Sequence, residues 1–170
     1  MDGKNDSMQF ALREAQSIIS FQPDRLGHAL LLPQAVLKNL YQRVEKIPIE
    51  CCPTSNVMTL ELTSQSDGNL IDGLRNHPNL ASWLSNDYPI SVSTDDPGIF
   101  QTDSTRELML LKEAFDMKPV DLVRLVLLSV QHIFETDHFK EKLRYAINEQ
   151  IKNIIQYLNN GAIPKTQKRL

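Results

Sequence analysis

Apolar positions along the chain switch between a helical and an extended period, and the switches lay out the elements. Phe10-Ala11-Leu12 and Ile18-Ile19 recur at helical spacing and predict an amphipathic helix over residues 6–20. Pro23-Asp24 ends it and leads into a short strand, Arg25-Leu26-Gly27-His28-Ala29. Pro33 suits a first helical position, where its missing N–H costs nothing. Ala35-Val36-Leu37, Leu40 and Val44 then carry a second helix that stops before Ile47-Pro48. Residues 47–52 are nearly all apolar, as expected of a strand buried on both faces, and run into a loop, Pro53-Thr54-Ser55-Asn56. A polar, turn-rich stretch at 64–69 precedes a short helix with Ile71 and Leu74. His77-Pro78 opens a further helical segment, with Leu80, Trp83 and Leu84 on one side. The third strand spans residues 90–94.

Beyond it, Ser104-Thr105-Arg106-Glu107 has the spacing of a capping box, at the head of a helix continued by Leu108, Leu111 and Phe115. Pro119 starts another, rich in Leu and Val through Val130. The last helix puts Phe139, Leu143, Ile147, Ile151, Ile154 and Leu158 on one face, with Gly161 as its stop and a basic tail from Lys165 to Leu170. Short strands alternating with helices mean parallel strands joined by right-handed crossovers. The fold class expected is α/β.

Composition adds limits. The 170 residues suffice for one sizeable core, and a net charge of −3 gives no electrostatic reason to expect nucleic-acid binding. No apolar run reaches the roughly 18 residues of a membrane span, and the polar start, Met1 to Asp6, has no signal-peptide core. Cys51 and Cys52 are neighbours, which suits neither a mutual disulfide nor a zinc knuckle; they read as reduced core residues of a cytoplasmic protein. No Gly-rich phosphate loop follows any strand, and the His-x-Glu with Pro-Cys-x-x-Cys of the cytidine-type zinc deaminases is absent.

Each strand instead runs into polar residues: His28, then Thr54-Ser55-Asn56, then Asp95-Asp96. In a (β/α)8 barrel the chemistry gathers at these C-terminal ends, although three strands cannot close one. The paired acids are the sharpest signal. Adjacent carboxylates can simply shape a turn. In a dry site each needs a cation or a donor. His77, His132 and His138 read as helix-terminal or surface residues, and Trp83 as core.

Three stretches, Arg25-Leu26-Gly27-His28-Ala29, Glu50-Cys51-Cys52-Pro53-Thr54-Ser55-Asn56 and Ser93-Thr94-Asp95-Asp96-Pro97-Gly98-Ile99-Phe100, resemble the last three strand-end motifs of the adenosine deaminase family, in the family's order. Pro23-Asp24 and His77-Pro78 also fit. Ala29, where Gly is commoner, is similar to the adenosine deaminase-like, or N6-methyl-AMP deaminase, subgroup. The likeness covers roughly residues 8–135. It implies a partial (β/α)8 TIM barrel of the metal-dependent hydrolase type, holding about the last three strands. The expected division is residues 1–160 as the C-terminal portion of a purine deaminase barrel and 161–170 as tail.

The same resemblance implies hydrolytic removal of the 6-amino or 6-alkylamino group of a purine nucleoside or nucleotide, with one zinc ion per complete site. Asp95 would ligate the metal, Asp96 would accept a hydrogen bond from the purine, and His28 would be the catalytic group beside the attacking oxygen. Thr54-Ser55-Asn56 would be loop scaffold. The family's His-x-His and its His and Glu from the fifth strand have no counterpart here, so this chain alone is not expected to retain zinc or turn over. A catalytically inactive remnant, acting through protein association, is the alternative. Either way, exposed strand edges invite self-association.

Overall fold

The computed structural model describes residues 3–63 and 68–159; the Gly161 stop and the basic tail lie outside them. The chain forms two compact units, one ending at His132 and the other starting at Ile133. In the first unit the order is α1 (Gly3–Ser20), β1 (Leu26–Gly27), α2 (Gln34–Gln42), β2 (Ile49–Cys51), α3 (Pro53–Thr59), α4 (Leu70–Arg75), α5 (Leu80–Ser85), β3 (Ile90–Val92), α6 (Pro97–Phe100), α7 (Ser104–Phe115) and α8 (Pro119–Ser129), closed by a 3-10 turn, Val130–His132. The second unit holds α9 (Asp137–Asn159), whose Phe139, Tyr145, Ile154 and Ile155 are substantially exposed.

The strands are parallel, in the order β1-β2-β3, with Leu26 opposite Ile49 and Ile49 opposite Ile90. They are shorter than their apolar runs predict. Successive side chains alternate between the sheet's faces. Ile49, Cys51 and Ile90 therefore turn to one face, where Val36, Leu40, Val57, Leu74, Leu80, Trp83 and Leu111 bury them. Gly27, Glu50 and Ser91 form a row on the other face. Polar groups cover that row. Arg25 Nε lies 3.0 Å from Glu50, Arg25 Nη1 donates to the His132 carbonyl at 2.9 Å, and His132 Nδ1 lies 3.1 Å from Ser91 Oγ. Strand β2 is thus buried on one face only, contrary to its apolar composition.

Two local expectations are corrected. Residues 53–56 are not a loop: Pro53 sits at the first helical position of α3, and Thr54, Ser55 and Asn56 are buried in its first turns. Ser104 is not the cap of α7 either. Asp103 fills that place, its side chain accepting from the Arg106 N–H at 2.8 Å, and Glu107 turns inward. His77 follows the end of α4, as expected, its N–H bonding the Leu74 carbonyl at 3.1 Å, and it also caps the next helix: its Nδ1 accepts from the N–H groups of Asn79 and Leu80.

Helices α3 and α4 meet where Gly73 leaves room for Val57. A Cβ built on Gly73 would lie 2.5 Å from Val57 Cγ1 and 3.2 Å from Thr63 Cγ2. Val57 is fully buried and β-branched, so it has little freedom to yield. Gly73→Ala gains up to about 1 kcal/mol of helix propensity but overpacks a tight contact at a cost of about 1–3 kcal/mol. The expected outcome in urea unfolding is a lower midpoint for Gly73→Ala, against the usual gain from this substitution in a helix.

Candidate active site

The C-terminal ends of the three strands are tied together by the backbone of β2. The His28 N–H donates to Glu50 O and the Ser93 N–H to Cys51 O, each at 2.9 Å, so the segments leaving β1 and β3 both hang from the strand between them. Each then turns sharply. Ala29 N–H bonds Gly27 O at 2.6 Å, closing a three-residue turn with His28 at its centre (φ +56°), and Ala29 follows at φ +49°. Asp95 is also left-handed, at φ +59°. Strained backbone at both positions directs the two side chains toward each other.

His28 Nε2 and Asp95 Oδ2 are 3.8 Å apart, both side chains about two-fifths exposed. Helix α3 supports them from below with adjacent residues. Ser55 Oγ donates to Asp95 Oδ2 at 2.7 Å, and the carboxamide of Asn56 lies 2.8 Å from His28 Nδ1. The same helix is locked at its start by Glu107, which has no exposed surface. Glu107 accepts from Thr54 N–H at 2.9 Å, from Thr54 Oγ1 at 2.6 Å and from Thr102 Oγ1. Asp96 points elsewhere in the same loop. Its Oδ1 accepts from the N–H groups of Gly98 and Ile99 and caps α6, the turn-shaping role open to it from sequence.

His28, Asp95 and Asp96 therefore belong to one rim, with His28 and Asp95 in direct company. Sequence reasoning missed Glu107, read as a cap, and undervalued Ser55, Asn56 and His77. The signal for the first was an acid at the fourth position of an amphipathic helix, on its apolar side with Leu111. Behind the rim, burial holds the Cys51 thiol well above its ordinary range and, with the Asp95 charge, lifts Cys52 to about 11, so neither is a nucleophile. A catalytic zinc takes three protein ligands and leaves one position open. Among the described residues no three His, Cys, Asp or Glu side chains converge, so His28 and Asp95 fall short of a metal centre by themselves.

The parallel strands with their helices, and polar residues gathered at the strands' C-terminal ends, define a segment of a (β/α)8 hydrolase barrel. Residues 10–150 match the adenosine deaminase family, and the chain belongs to it. It is 30% identical over 136 residues to the N6-methyl-AMP deaminase of Mus musculus, covering 78% of this chain and 35% of that protein. It also resembles the apo structure of the N6-methyl-AMP deaminase from Arabidopsis thaliana (TM-score 0.70, 26% identity, 81% of this chain and 37% of that one) and a crystal structure of an Arabidopsis ADAL complexed with IMP (TM-score 0.67, 25% identity, the same coverage). The chain spans about a third of the length of these relatives. Among the described residues, no helix is long and apolar enough to cross a membrane.

Two measurements check this local geometry. Ala29 occupies a left-handed position that costs an L side chain about 1 kcal/mol. Ala29→Gly should stabilise the chain by up to about that amount, less glycine's extra freedom when unfolded; thermal unfolding reads the gain. His77 is pushed down to about 4 by burial, below the 6.5 of an unfolded histidine. As pH falls the unfolded chain takes this proton first, so stability is full above about 6.5 and declines toward 4, by roughly 3 kcal/mol over that window. His77→Gln should flatten this part of the stability profile.

Proposed function

We propose that this chain supplies the last three strand ends of a purine deaminase that replaces the 6-amino or 6-methylamino group of a purine nucleotide, N6-methyl-AMP above all, or of a nucleoside, by oxygen from water. The observation that carries the reading is the convergence of His28 and Asp95 over α3, each held by its own neighbour in the sequence Ser55-Asn56. The resemblance to an enzyme solved with IMP supports it, since IMP is what hydrolysis of N6-methyl-AMP leaves behind.

Family members are metal-dependent, generally through zinc. In this reading Asp95 is one ligand of a metal whose other ligands come from outside these residues. Its Oδ2 already accepts from Ser55, which holds the carboxylate in place. Asp96 accepts a hydrogen bond from the purine ring; capping uses Oδ1, and Oδ2 makes no hydrogen bond among the described residues. His28 touches the oxygen that enters at the reacting carbon. A preorganised group of this kind is worth about 10²–10³ in rate.

The alternative, a remnant without turnover, makes the opposite forecast in one assay. The chain is combined with a polypeptide carrying the barrel strands it lacks, and zinc content and deamination of N6-methyl-AMP and adenosine are measured on the same sample. Zinc-dependent turnover is expected from the complemented sample and none from the chain alone. Asp95→Ala should lose both zinc and rate, while His28→Ala should keep zinc and slow turnover at least about 100-fold. An Asp95→Ala sample that kept its metal and its rate would refute the assignment.

A further inference from the structure

The proton inventory behind His28 fixes where its own proton lies. His77 is only 4% exposed, and its Nδ1 accepts two backbone N–H groups, from Asn79 at 3.2 Å and from Leu80 at 3.1 Å. A nitrogen that accepts carries no proton, so a neutral His77 holds its single ring proton at Nε2. Burial keeps it neutral at ordinary pH. That Nε2 faces the Asn56 carboxamide, 3.4 Å from Nδ2. Two donors would then oppose each other, because the amide nitrogen has only protons to offer; for His77 to accept one it would have to be an imidazolate.

A half-turn of the carboxamide removes the conflict, exchanging oxygen and nitrogen without changing the group's shape. The oxygen then accepts from His77 Nε2–H and from the Cys51 thiol, whose Sγ is 3.8 Å from the same corner of the amide and which burial keeps protonated. The nitrogen moves to the corner 2.8 Å from His28 Nδ1 and donates to it. His28 Nδ1 becomes an acceptor, and the ring's proton is left on Nε2, the nitrogen facing Asp95.

We infer that His77 is a positioning residue: acting through the carboxamide of Asn56, it holds neutral His28 as the Nε2–H tautomer, a hydrogen-bond donor toward the mouth of the site and not a base. For catalysis this consequence rests on the deaminase reading, in which Nε2–H donates to the oxygen added to the purine. The tautomer itself does not. It follows from His77, Asn56 and Cys51 alone.

The test is a long-range proton–nitrogen correlation on the full chain labelled with 15N-histidine, without metal or substrate, at about pH 8, above the ordinary histidine range. Four histidines make every ring assignable. His77 and His28 should both show the proton on Nε2 and a bare Nδ1. In Asn56→Asp the carboxylate accepts from both rings, so His28 should gain a proton at Nδ1 while His77 stays as it was. A native spectrum with the proton on His28 Nδ1 overturns the inference, as does a bare His28 Nδ1 in Asn56→Asp. If that variant does not fold, the native spectrum decides alone. Because no turnover is measured, this result can fail while the deaminase reading stands, and the reverse.

Discussion

A carboxylate shut away from water must be met by donors, and Glu107 draws its three from two separate segments. Thr54 gives a backbone N–H and a hydroxyl from the first turn of α3, and Thr102 gives a hydroxyl from the segment that follows α6. Hydrogen bonds to a charged group contribute about 1.5–3 kcal/mol each, and a buried partner left unmatched costs about 1–3 kcal/mol. One side chain of α7 thereby fixes the segments that follow β2 and β3. The side-chain supports of His28 and Asp95 start from that tie, while the β2 backbone holds the segments that carry them. Thr54, Ser55 and Asn56 are consecutive, and they reach Glu107, Asp95 and His28 respectively. Loosening the first would shift the supports of the other two.

Much of this was readable from the chain, and the exceptions have physical reasons. The three strands announced themselves because they are short apolar runs ending in polar residues, and all three exist, although trimmed to the residues that pair. His28 and Asp95 stood out because an isolated histidine and a pair of adjacent acids are costly at the end of a buried strand. Helix α3 did not stand out. A run of Thr, Ser and Asn after proline has the composition of a loop, and what makes it helical is tertiary: its polar side chains are satisfied by Glu107, Asp95 and His28, each distant in sequence. Glu107 was misread for the same reason. At the fourth position of Ser104-Thr105-Arg106-Glu107 local spacing favours a cap, but Asp103 takes that task and frees Glu107 to point inward.

His77 shows a different blindness. A histidine before proline looks like punctuation, and its sequence context says nothing of burial. Its environment gives it two functions at once, capping α5 through Nδ1 and facing Asn56 through Nε2. The sheet, by contrast, is incomplete in a way the sequence did announce. Among the described residues β1 and β3 are each paired on one side only. The row of Gly27, Glu50 and Ser91, which in a closed barrel would face its axis, is covered by Arg25 and His132. On the proposed reading, a site completed by residues outside this chain accounts for a His28 and an Asp95 that are carefully held and yet, among the described residues, fall short of a metal centre.

The central claim is that Glu107 holds His28 and Asp95 in register through α3. Amide exchange and side-chain chemical shifts compared between the native chain and Glu107→Gln test it most directly. The tie requires the Thr54 amide to lose protection and the signals of His28 and Asp95, neither of which touches Glu107, to move with it. A variant in which Thr54 exchanges faster while His28 and Asp95 keep their native shifts would contradict it.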